Sequence, residues 1–146
     1  YIMIKIVCIG KLKEKYLIEL VNDYKNRINK YHKLEIIELK DSNIKEEGLE
    51  INKYINKKEY IITMEINGNK MNSIEFSKKI DNWLMTYSNI TFIIGGSDGI
   101  DDSIKKISNY ELSFSDLTFP HGLFRGFLLE QIYRSFKILN NETYHK

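Results

Sequence analysis

The residues with chemistry to offer are few and unevenly spread. "FIIGGSDGIDDS", residues 92–103, places Gly95 and Gly96 between an apolar run and a polar one. A strand that enters a glycine turn and opens a helix can cradle a phosphate. This spelling does not fit that use: Ile100 follows Gly99 where a Walker loop needs Lys-Ser/Thr, and Ile94 stands where a dinucleotide fingerprint needs its first glycine. Adjacent glycines still leave backbone N–H and C=O groups open to a flat ligand, which suits an adenosine moiety better than a triphosphate. A plain strand-to-helix turn is the other reading.

Further on, "LTFPHGLFRG", residues 117–126, holds the only proline, Pro120, with His121 and Arg125 beside it. Pro120 suits the entry to a helix, where its missing N–H costs little and its fixed φ is already favourable. His32, His121 and His145 are scattered, with no HxxxH or CxxC pair, so no metal site is expected. Cys8, flanked by Ile6, Val7 and Ile9, reads as a buried thiol in a strand. Glu130, inside an apolar helix, calls for a partner, with Arg134 in reach.

These residues must be positioned by the elements around them. Met3 to Ile9 is a nearly continuous apolar run, the mark of a strand buried on both faces. Tyr16, Leu17, Leu20, Val21, Tyr24 and Ile28 recur at helical spacing and predict a helix over 13–29. A strand at 34–39, a polar loop leading into a modest helix between 41 and 58, and a strand at 60–66 follow. The last of these is closed by the turn signal Asn67-Gly68-Asn69. Ser73 reads as the N-cap of a helix ending near Tyr87. Strand 90–94, a short helix over 100–107, a short strand over 110–114 and a long helix over 121–139 complete the chain. Strands alternating with helices predict an α/β domain with a mainly parallel sheet, helices on both faces, and ligands beyond the carboxyl ends of the strands.

At 146 residues the chain fits a single domain over 1–146. Apolar residues at 42% and charged residues at 29% are ordinary for a globular protein. No segment reaches the roughly 18 to 20 apolar residues that cross a bilayer. The start, YIMIKIVCIGK, is charged too early for a signal peptide, so a cytoplasmic location without membrane contact is expected. A net charge of +2, from 22 basic and 20 acidic residues, does not by itself announce a nucleic-acid binder. Lys11, Lys13 and Lys15, then Lys25, Arg27, Lys30 and Lys33, form local basic clusters that also read as solvated faces.

Taken together, "IGKLKEKY", "YIITMEINGNKM", "IGGSDGI", "SNYELSFSDLTFPH", "LLEQIYRSFKI" and the terminal "YHK" closely resemble the RlmH family. These are SPOUT-superfamily methyltransferases that act on N3 of a pseudouridine in 23S ribosomal RNA. The resemblance runs from Met3 to Lys146 and implies a SPOUT fold with a C-terminal trefoil knot. It also implies S-adenosylmethionine as methyl donor, assembled ribosomes as substrate and a homodimer. The final helix has apolar residues on more than one face, which a two-fold interface would bury.

By position, the resemblance places cofactor contacts on Met64, on Gly95, and on the run Phe114, Ser115, Asp116, Leu117, Thr118 and Phe119. Gly96 joins them by adjacency. N3 of a uracil ring must lose a proton before it attacks, so a base or an anion-stabilising cation is needed. Arg125 and the tail residues Tyr144, His145 and Lys146 are expected to hold RNA and developing charge, with His121 or His145 as proton acceptor. Alternatives are another SPOUT enzyme acting on a ribose 2′-hydroxyl or a tRNA base, or a non-catalytic ribosome-binding module.

Overall fold

In a computed structural model, which describes residues 3–145, five parallel strands form one sheet flanked by helices on both faces. In chain order the elements are β1 (Met3–Ile9), α1 (Lys15–Ile28), β2 (Lys33–Leu39), α2 (Ile44–Asn52) and β3 (Tyr60–Asn69). They continue with α3 (Ser73–Thr86), β4 (Asn89–Ile94), α4 (Asp102–Lys105), β5 (Tyr110–Leu112) and α5 (His121–Leu139). The strand order is β2-β1-β4-β3-β5, and every pairing is parallel.

Alternation along the strands sorts the core into two layers. Ile4, Ile6 and Cys8 of β1, with Ile62, Ile90 and Phe92, pack against Val21 and Ile28 of α1, Phe76 and Ile80 of α3, and Leu128, Leu129 and Ile132 of α5. Val7, Ile9, Ile61 and Ile93 point the other way, onto Ile51 of α2 and Ile100 and Ile104 near α4. The second layer carries a buried polar link. Lys5 Nζ meets Glu59 Oε1 at 2.8 Å, and the Thr91 hydroxyl donates to Glu59 Oε2 at 2.5 Å. Both charges of this buried pair are thereby satisfied.

The periodicity of the sequence locates the elements, and their ends differ for local reasons. Tyr16, read as part of the α1 stripe, is exposed, while Leu17 and Val21 are buried. The N-cap of α3 is Asn72, one residue before Ser73. Its side chain accepts from Glu75 N–H and Glu75 returns the bond to the Asn72 backbone, a reciprocal capping box. Asn67-Gly68-Asn69 is not a turn but the end of β3. Met64 and Asn69 both pair with Leu112, so residues 65–68 bulge out between them. Gly68 permits this, because a Cβ there would lie 2.8 Å from the Glu111 carbonyl carbon and oxygen.

Candidate active site

The carboxyl ends of β3, β4 and β5 open into a cavity of about 300 Å³. The β3 bulge supplies Met64, Glu65, Ile66 and Asn67 to its wall, and the β4 end supplies Gly95 and Gly96. The segment between β5 and α5 supplies Phe114, Ser115, Leu117, Thr118 and Phe119, with His121 and Phe124 from the first turn of α5. Such a crevice beyond the strand ends is where open α/β sheets bind ligands.

The glycines shape the cavity by letting the chain approach itself. A Cβ on Gly95 would stand 2.5 Å from the Gly99 carbonyl oxygen. Gly99 N–H donates to Gly96 O at 3.0 Å, with Gly99 at φ +87, so the loop closes on itself and presents bare backbone to the cavity. Part of the lining is aromatic. Phe124 lies 5.4 Å from Phe114 and 6.4 Å from Phe119, ring centre to ring centre. A lining that combines glycine backbone with apolar rings suits a planar heteroaromatic ligand.

Glu65 and Lys105 also line this cavity, and reading the sequence missed both. They meet at 3.6 Å, and the Thr63 hydroxyl donates to Glu65 at 2.7 Å. The available signal was position alone: Glu65 follows Met64 at the strand end, and Lys105 closes the short helix after the glycine loop.

Of the residues expected to touch the cofactor, Met64, Gly95, Gly96, Phe114, Ser115, Leu117, Thr118 and Phe119 line the cavity together, and Asp116 does not. Asp116 is exposed and ion-paired with Lys70. Of the expected catalytic residues only His121 faces the cavity. No hydrogen bond to its ring is made among the described residues.

Arg125 does not stand where the sequence reading put it. Its residue exposure is 1%, and its guanidinium is engaged by Glu38 Oε2 at 2.6 Å and by the Gly10 carbonyl at 3.1 Å. One turn of helix carries it away from His121, under the loop that follows β1. A side chain enclosed in this way ties α5 to the ends of β1 and β2.

The tail folds back along α5. Tyr144 OH donates to Glu130 Oε2 at 2.8 Å and lies 3.3 Å from the Tyr24 hydroxyl. Burial first, and then its bonds to Tyr24 and Glu130, push the Tyr144 phenol above its ordinary pKa, so at neutral pH it is a donor. Arg134 pairs with Glu130 at 2.9 Å and meets His145 Nδ1 at 3.0 Å. His145 borders a second groove, of about 600 Å³, which shares Phe114, Ser115 and Phe119 with the first cavity. Lys146 lies outside the described residues.

Among the described residues no group of three His, Cys, Asp or Glu side chains could hold a metal ion, and no helix is long and apolar enough to cross a membrane.

Known proteins are similar to this chain in fold and in sequence. Solved structures align over most of the chain at low identity. One is the tRNA (m1G37) methyltransferase of Aquifex aeolicus, with a TM-score of 0.54 at 18% identity over 90% of this chain and 69% of that one. Another is the SpoU methyltransferase AviRb of Streptomyces viridochromogenes, with a TM-score of 0.52 at 9% identity over 97% and 62%. In sequence, the ribosomal RNA large subunit methyltransferase H of Enterococcus faecalis is 46% identical over 98% of this chain and 99% of its own length. That of Clostridium kluyveri is 48% identical over the same shares. A family profile described as "Predicted SPOUT methyltransferase" matches residues 2–145. With a parallel sheet, a glycine-backed cavity at its strand ends and near-full-length identity of this order, the chain belongs to the SPOUT methyltransferases, within the family of ribosomal RNA large subunit methyltransferase H.

Proposed function

We propose that this protein transfers a methyl group from S-adenosylmethionine to N3 of a pseudouridine in 23S ribosomal RNA, on assembled ribosomes in the cytoplasm. The observation that carries the reading is the cavity at the ends of β3, β4 and β5, lined by glycine backbone and aromatic rings. The cavity fits the cofactor. Loop amides around Gly95 and Gly96 would hold the adenine edge, Phe119 and Leu117 would supply apolar walls, and Glu65 and Lys105 would offer polar groups. When bound, S-adenosylmethionine supplies an electrophilic methyl carbon on a sulfonium.

For N3 to take that methyl group, its proton would have to leave to a base held by this chain. His121 is the proton acceptor in this reading, because it lines the cavity with its ring uncommitted. His145 has a different part. Arginine only donates, so Nδ1 of His145 accepts from Arg134 and the neutral ring carries its proton on Nε2. With that proton His145 donates to a uracil carbonyl and stabilises the ring anion, and Tyr144, held as a phenol, orients the tail. Arg125 has no part in the step.

A homodimer belongs to the same proposal, and with it the SPOUT trefoil knot. Phe127 on α5 and Ile74 on α3 are exposed apolar side chains lining the second groove, and Leu117 is exposed at the first cavity. A second copy would cover them and bring another tail close to the cofactor.

Labelled methyl transfer to ribosomes from a deletion strain, followed by mapping of the modified nucleoside, tests the reaction. Label on N3 of a 23S pseudouridine is expected; label on a ribose or on tRNA overturns the assigned acceptor. Calorimetry with S-adenosylmethionine separates an enzyme from a non-catalytic module, which would bind none.

A further inference from the structure

Helix α5 ends in a corner that reverses the chain. Asn140 is the C-cap and Asn141 takes φ +54, a left-handed conformation that asparagine tolerates better than most residues. Asn141 N–H donates to Ile138 O at 3.1 Å and Glu142 N–H to Lys137 O at 2.9 Å, the paired bonds of a Schellman motif. From this corner the last residues run back beside α5.

Left to itself, so short a tail would fray. Glu142 prevents this by joining three elements. One carboxylate oxygen accepts from the Tyr31 hydroxyl at 2.6 Å, and the other meets Lys137 Nζ at 3.1 Å. Tyr31 lies just beyond the end of α1, and its ring is not loose. It stacks on Phe136 at 5.4 Å and stands edge-on to Tyr133 at 6.4 Å. The hydroxyl that holds the tail is therefore fixed by a packed ring. The bond is mutual in its electrostatics: Tyr31, then Lys137, lowers the Glu142 carboxyl, and Glu142 raises the Tyr31 phenol. Two residues further on, Tyr144 packs edge-on against Tyr133 at 5.0 Å.

We infer that Tyr31, Lys137 and Glu142 are positioning residues for methyl transfer: they form a latch that sets where Tyr144 holds the tail and so where His145 meets the acceptor base. The inference rests on the role of the tail proposed above. The latch sits near the surface, where an ion pair adds little to folding. Its effect on rate is larger, because catalytic groups displaced by an ångström lose much of the advantage of a bound geometry. Glu142 touches neither the cofactor cavity nor its lining, so its influence passes only through the tail.

The test uses the full-length protein with ribosomes and S-adenosylmethionine. Tyr31→Phe keeps the stacked ring and removes only the hydroxyl, while Glu142→Ala removes the anchor. Each is expected to lower kcat roughly fivefold to tenfold, the scale of one ordinary hydrogen bond. Cofactor Kd and thermal midpoint should stay at the wild-type values. The double variant should be no slower than Glu142→Ala alone, since both remove one contact. Asn141→Gly, which keeps the left-handed corner, should retain full turnover. An unchanged kcat in Glu142→Ala beside an inactive chain lacking residues 144–146 overturns the latch. An unchanged kcat in both overturns the role of the tail, and the latch with it. A loss confined to thermal stability shows a purely structural contact and also overturns the latch.

Discussion

Arg125 Nη1 and Glu38 Oε2 stand 2.6 Å apart across 87 positions of sequence, joining the first turns of α5 to the end of β2. The pair is asymmetric: the Arg125 side chain is 2% exposed and that of Glu38 is 34%. The same carboxylate oxygen accepts from Leu12 N–H at 3.0 Å, so the loop after β1 is held by the contact as well.

The asymmetry predicts unequal mutants. Glu38→Ala strands a buried guanidinium whose Nε–H already lacks a partner among the described residues. Its expected cost is about 3–5 kcal/mol of unfolding free energy. Arg125→Met fills a similar volume and leaves a carboxylate that water can reach, so it should cost less. Urea titration of both checks the order. Arg125→Met should also keep its turnover per folded molecule; a stable but inactive variant would return Arg125 to the reaction.

Gly95→Ala places a methyl group 2.5 Å from the Gly99 carbonyl oxygen, and neither backbone can yield without deforming the loop. Cofactor affinity should fall at least roughly tenfold, since the loop's amides lose their placement. Calorimetry with S-adenosylhomocysteine reads this directly, and wild-type affinity would remove the glycine loop from the binding site.

His121→Ala is expected to lower kcat by about a hundredfold, the lower end of what a positioned base contributes, with cofactor Kd unchanged. Imidazole added in solution supplies the check: it should restore part of the lost turnover, and a variant that retains wild-type kcat assigns the proton to another group.

Cys8 should resist alkylation in the folded protein. Burial first pushes its thiol up to about 11, with Glu38 adding to the rise and Arg125 opposing it. The unfolded chain ionises at the ordinary value of 9.0, so between these limits it binds fewer protons than the folded one. Stability is therefore complete below pH 9 and falls as pH rises, by about 1.4 kcal/mol per pH unit at most. Cys8→Ser denaturation curves lacking this slope would identify the thiol as its source.

Much of the architecture was legible in the sequence, and the reason is periodicity. Continuous apolar runs marked β1 and β4 as strands buried on both faces, and the spacing of Leu17, Val21 and Ile28 marked a one-sided helix. The motifs around Gly95 and Phe114–Phe119 identified most of one cavity, because neighbours in sequence at a strand end stay neighbours in space. Where a local signal had two structural uses, it misled: Asn67-Gly68-Asn69 spells a turn, yet here Gly68 serves the close approach of β3 to β5.

What only the tertiary structure decided were the meetings between distant side chains. A pattern of apolar residues reports that a face is buried but not which charged group waits there. Arg125 reads from its position as available for RNA, yet Glu38 and Gly10 O engage it in the fold. Glu65 and Lys105 joined the cavity only when the β3 bulge and α4 came together, and Tyr31 met Glu142 only after α1 packed on α5. Each of these contacts is set by the crossing of elements far apart in the chain, so the sequence determined the parts and their local conformations, and packing determined which functional groups face one another.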